Sequence, residues 1–174
     1  MANTHIQISS FTVGSGGASS IAFSSIPQTY KDLKLVISSR SNNTGGDYYG
    51  LTINGNSSNM SNKFLTFYGG TTASALTYGS PASKIIGVTT AAGYAANLFG
   101  AGDWYFPSYS DGTITKAIHG ECGTEQNSTD NGEMWFYSGA WSQTDAITNL
   151  TITPYYGTLW VENSVFTLYG IKNS

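Results

Sequence analysis

The amino-acid sequence reads as an all-β protein, an antiparallel β-sandwich of jelly-roll type with about ten strands. Three observations predict it. Thr, Tyr and Ile, which suit a pleated surface, are plentiful, while Leu, Glu, Lys and Arg, strong helix formers, are scarce. Strand-like segments recur at short intervals, each bounded by Gly, Asn, Ser or Pro. Between them no segment has a convincing 3.6-residue apolar period, which argues for a sandwich or jelly roll and against an α/β fold.

The first segment, residues 6–13, ends at Gly14-Ser15-Gly16-Gly17. With no helix behind it and no lysine inside it, that glycine run is a turn and not a phosphate cradle. Residues 20–26 alternate Ile21 and Phe23 against Ala22 and Ser24, and Pro27 stops the strand by removing a ladder donor. In 33–37, Leu33, Leu35 and Ile37 share a face. The loop 41–47 holds Asn42, Asn43, Gly45 and Gly46, residues that tolerate positive φ. Residues 48–54 lead into Asn54-Gly55, the strongest hairpin signal in the chain, but 56–62 is polar, so a longer loop before 63–68 fits equally. Further strands are expected at 75–78, 84–90, 97–106, 113–121, 134–138, 147–153 and 164–171. The weakly helical stretch 89–98 is broken by Gly93 and reads as a loop. In the last strand Phe166 and Leu168 point one way while Val165, Tyr169 and Ile171 point the other, so both faces are apolar. Either the strand is central with both faces covered inside the monomer, or its outer face meets another subunit.

Composition then bounds the function. Ser, Thr, Asn and Gly make up 78 of 174 residues, yet 40% is apolar and the net charge is only −3, which excludes disorder. Seven Lys plus Arg scattered along the chain cannot form a basic stripe, so no nucleic acid is expected as a partner. No run approaches the roughly 20 apolar residues of a membrane span, and the N-terminus has no secretory h-region, so no membrane is expected either. A lone cysteine, Cys122, excludes an internal disulfide and a multi-cysteine metal cluster. No composition shift or hinge divides the chain, so residues 1–174 read as one domain.

Three segments together carry a resemblance. They are Ile21-Ala22-Phe23-Ser24-Ser25-Ile26-Pro27-Gln28-Thr29-Tyr30-Lys31-Asp32-Leu33, then Leu35-Val36-Ile37-Ser38-Ser39-Arg40, and finally Ser164-Val165-Phe166-Thr167-Leu168-Tyr169-Gly170-Ile171. An "F-x-x-I-P-x-T-Y-x-x-L" block, a strand ending in Ser-Arg and a closing "F-x-L-Y-G-I" resemble small structural proteins of tailed bacteriophages, most of all those of marine and freshwater phages such as cyanophages. The likeness covers about the first 40 and the last 12 residues. It implies a sandwich or jelly roll that often assembles as a homotrimer, found as a capsid decoration (cement) protein or as a head or tail fibre module. The chain has neither a heptad nor a stalk, which favours decoration of the capsid surface over a long fibre.

Residue chemistry adds little to that expectation. His119-Gly120-Glu121-Cys122 joins imidazole, carboxylate and thiol, but in an extended segment His119 and Cys122 fall on opposite faces, and the second cysteine of a zinc deaminase is missing. Asp130-Asn131-Gly132-Glu133 offers oxygen ligands without calcium-loop spacing, and an Asn-Gly turn explains it; Asp103, Asp111 and Glu125 could join it only if the fold gathers their loops. No cofactor and no metal are expected. Five Asn-x-Ser/Thr triplets are near what chance supplies and carry no inference.

The aromatic residues Trp104, Trp141, Tyr155, Tyr156 and Trp160 are the candidate contacts for a glycan or protein partner, with core packing or subunit contact the heavier alternative. Val165, Phe166, Leu168, Tyr169 and Ile171 are the candidates for core or trimer contact. Arg40 reads as an exposed cation or as the partner of a carboxylate at a subunit contact. The expectation is a non-enzymatic virion structural protein that contacts copies of itself and the major capsid protein or other virion proteins. The alternative is a receptor- or carbohydrate-binding head of a tail or head fibre, with a host surface glycan as partner.

Overall fold

The computed structural model describes residues 4–69, 72–78, 84–126 and 132–172. It holds twelve strands: β1 (His5–Thr12), β2 (Ile21–Phe23), β3 (Asp32–Ser41), β4 (Asp47–Ile53), β5 (Met60–Tyr68), β6 (Thr72–Leu76), β7 (Ile85–Ala91), β8 (Gly100–Phe106), β9 (Lys116–Thr124), β10 (Glu133–Trp141), β11 (Leu150–Pro154) and β12 (Val165–Ile171). The expected all-β sandwich is present. The stretch 92–99 after β7 is a loop, and Asn54-Gly55 takes positive φ at both positions. That turn closes only the single Ile53–Asn56 pair before the chain leaves for the other sheet.

Eight strands form a jelly-roll frame of two four-stranded antiparallel sheets, β1-β12-β3-β8 and β2-β11-β4-β7. A short parallel contact joins the sheets where Arg40 and Ser41 meet Thr90 and Ala91. The other four strands are two insertions, β5–β6 between β4 and β7, and β9–β10 between β8 and β11. They extend the first sheet past β8 in the order β9-β10-β5-β6. We call this extension the wing.

The frame core is aromatic. Trp104, Trp160, Tyr49, Phe106 and Phe166 are fully buried, with Tyr49 5.0 Å from Trp104 and 5.7 Å from Trp160 between ring centroids. Trp104 has room only because its neighbours lack side chains. A Cβ on Gly102 would stand 2.7 Å from its Cη2, and one on Gly120 would stand 2.6 Å from its Cδ1.

The inner face of the extended sheet solves an edge problem. Strand β7 pairs with β4 on one side and meets β3 only at Thr90 and Ala91 on the other, so the rest of that edge would bury unpaired peptide groups. Side chains of the extended sheet meet it instead. Trp104 Nε1–H donates to the Ile86 carbonyl (2.8 Å), Val88 N–H donates to Cys122 Sγ (3.3 Å), and Asn62 Nδ2 donates to the Ile85 carbonyl (3.3 Å). This is the task of Cys122. Burial pushes its thiol up to about 12, far from a reactive thiolate.

The quoted sequence blocks are neighbours in space. Strand β12 lies between β1 and β3, and the Tyr30 ring lies where a Cβ on Gly170 would sit, 2.3 Å from the nearest ring atom. Pairing on both edges does not cover the outer face of β12, so its double-sided apolarity is only half accounted for within the chain. Phe166 and Leu168 are fully buried in the core, while Val165, Tyr169 and Ile171 are half-buried on the outer face.

Candidate functional site

Side chains on the outer face of the long sheet run in rows across the strands. One row is Val165, Ser38, Ala101, Gly123, Met134, Phe67 and Ala73; the next is Thr167, Val36, Asp103, Glu121, Phe136, Leu65 and Ala75. Over the wing these rows become an exposed apolar patch. Leu65 is 46% exposed, Met134 49%, and Phe67 and Phe136 38% each, with the two phenyl rings edge-to-face at 6.3 Å. Ordinary alternation would have put polar side chains here. Between patch and frame lies a shallow groove of about 310 Å³ lined by Val36, Ala101, Asp103, Glu121, Gly123 and Met134. One exposed ion pair, Lys34–Asp103 at 3.2 Å, closes its frame side.

A second feature sits where the start of β10 meets β4 and the segment after β11. Tyr48 is the hub, with ring centroids 5.3 Å from Trp135, 5.6 Å from Tyr156, 6.1 Å from Tyr78 and 6.3 Å from Tyr155. Trp135 Nε1–H donates to the Glu133 carboxylate (3.0 Å), and burial raises that carboxyl above the ordinary carboxylate range.

Buried ions hold the loops that carry these residues. The fully buried Asp47 carboxylate accepts N–H bonds from Tyr48 (2.7 Å), Tyr155 (3.1 Å), Tyr156 (2.8 Å) and Gly157 (3.0 Å). Four short bonds to an ion fix the backbone beneath the two tyrosines. Arg40 does the converse. Its guanidinium donates to the carbonyls of Ala92, Tyr94, Ala95 and Leu98 and winds that loop around itself. The expectation of an exposed or intersubunit cation is therefore corrected: Arg40 is 8% exposed and its four carbonyl partners belong to its own chain. Lys116, fully buried, donates in the same way to the carbonyls of Asp111, Ile114 and Thr144. Desolvation lowers the pKa of both cations.

The predicted partner contacts divide. Trp104, Trp141 and Trp160 are at most 2% exposed and pack inside, so the glycan or partner role proposed for them is corrected to core. Tyr155 and Tyr156 do reach the surface, Tyr156 with 62% of its area exposed. Tyr48, Tyr78 and Glu133 complete their cluster, and no local motif in the sequence joins residues so far apart. His119 is exposed beside Tyr105, on the opposite face of β9 from Cys122. Asp130 and Asn131 lie outside the described residues. Asp103 pairs with Lys34, while Asp111 accepts bonds from Thr113 within its own loop. Among the described residues no three His, Cys, Asp or Glu side chains are grouped to hold a metal.

No family model, curated protein or solved structure matches this chain.

Proposed function

We propose that the protein is a non-enzymatic structural component of a tailed-phage particle. It is a capsid decoration protein that assembles as a homotrimer and stabilises the shell by docking on it. One observation carries the reading: a rigid sandwich spends four extra strands on presenting Leu65, Phe67, Met134 and Phe136 to solvent. Contiguous exposed apolar surface of this kind marks a contact with another macromolecule. The resemblance of three sequence blocks to those of phage structural proteins supports the choice of particle. We assign the wing face to the shell, and the half-buried Val165, Tyr169 and Ile171 at the frame end of the same sheet to contact between copies. Three weak contacts held by one trimer bind with avidity, and contact through neutral groups depends little on salt.

Two measurements test this. Light scattering at micromolar concentration is expected to give three times the 18.5 kDa chain mass, and a single-chain mass removes the trimer. The protein is expected to sediment with empty shells of its own phage in 50 mM and 500 mM salt alike. A protein left in the supernatant at both salts removes the decoration role.

A further inference from the structure

The tyrosine cluster is a separate feature from the wing face. Its rings already touch, with Tyr155 and Tyr156 edge-to-face at 4.9 Å, yet Tyr156 leaves most of its surface to water. Exposed aromatic rings are normally tolerated on mobile loops. This one stands on backbone that Asp47 holds through four N–H bonds, while Asn42 Oδ1 accepts two more from Thr158 (2.9 Å) and Leu159 (3.0 Å). A ring fixed in advance and left open is preorganised for a flat apolar partner, because little freedom remains to be lost on binding.

We propose that this cluster is a carbohydrate-binding site for a neutral oligosaccharide. The Tyr156 ring takes the C–H face of one pyranose, and the hydroxyls of its neighbour bond to the phenols of Tyr48 and Tyr78 and to the Glu133 carboxylate.

Charged groups of both signs already flank the platform. Glu133 and the buried Asp47 contribute carboxylates, and Lys84 Nζ lies over the Tyr155 ring, 5.5 Å from its centroid. A quaternary ammonium, the other usual guest of tyrosines, would meet Lys84 at Tyr155, whose cation position is already taken. An open platform with acceptors and phenolic donors beside it suits the alternating apolar and hydroxyl surface of a sugar. The proposal does not depend on the shell-binding reading.

A glycan array probed with the labelled full chain tests it, followed by saturation-transfer NMR on the strongest neutral oligosaccharide. The expected result is binding to neutral glycans, with saturation reaching pyranose C–H protons. Tyr156→Ala is expected to weaken it about five- to tenfold. Glu133→Gln, which keeps an acceptor but removes the charge, is expected to weaken it less. Leu65→Ser on the wing is expected to bind glycan like the wild type, and Tyr156→Ala to sediment with shells like the wild type. Each of three results overturns the proposal: no neutral glycan bound, binding undiminished by Tyr156→Ala, or binding confined to choline or to acidic glycans.

Discussion

The frame and the wing are built from the same kind of strand in one continuous sheet, yet they dispose of their side chains differently. Outside the frame, apolar residues of the long sheet are half-covered, as on β12, or stand singly like Val36. Outside the wing, four large apolar side chains cluster. Inside, both halves pack aromatics, and inner side chains of both, Trp104 from the frame with Asn62 and Cys122 from the wing, bond to the β7 edge that faces away from β4. The wing thus completes the fold with one face and is free to make contacts with the other. The difference teaches that core packing and exposed apolar surface are divided here by sheet face, a period-2 division that single substitutions can probe.

The largest effect is expected in the frame. Trp104→Ala empties a fully buried site between two glycines and should cost about 3–5 kcal/mol, read as a fall in the urea midpoint. Asp47→Ala should come next, at about 3 kcal/mol, because four backbone N–H groups lose an ionic acceptor. On the wing, Phe136→Ser should change stability by about 1 kcal/mol or less, since much of that ring is already in water. If Phe136→Ser proves as damaging as Trp104→Ala, the division between faces fails.

Glu133, at the wing's first strand position, sharpens the comparison through pH. Its folded pKa is raised by burial, so the native state holds the proton more tightly than the unfolded chain. That contribution to stability is complete below the unfolded value and is lost as pH rises through the folded one. Glu133→Gln should therefore lose less stability than the wild type between pH 4 and pH 7, measured by urea unfolding at both ends. The smallest effect belongs to Lys34→Ala. Its exposed bridge to Asp103 should be worth under about 0.5 kcal/mol, and less in high salt.

Much of this division was legible in the sequence, and its limits have physical causes. Alternation located the strands, and the two-sided apolar pattern of 164–171 marked a strand whose outer face is only half-covered within the chain. The buried ions were not legible. Arg40, Asp47 and Lys116 look like surface charges, because the backbone groups that satisfy them come from loops up to 110 residues away. The tryptophans misled for a related reason. Trp104 lies inside the strand expected at 97–106 and Trp141 just past the one expected at 134–138, but only the pairing register shows Gly102 and Gly120 making space for the Trp104 indole. The outer patch was present as Met134, Phe136, Leu65 and Phe67, but two strands distant in sequence had to pair in register before those residues formed one surface.

The central proposal is that the wing's outer face makes the contact with the shell. Its most direct test is the fraction of a Leu65→Ser/Phe136→Ser double variant that sediments with empty shells, measured beside its urea midpoint. A midpoint within about 2 kcal/mol of the wild type, with shell binding reduced at least tenfold, is the predicted result. Shell binding equal to the wild type's, with the same fold retained, would contradict it.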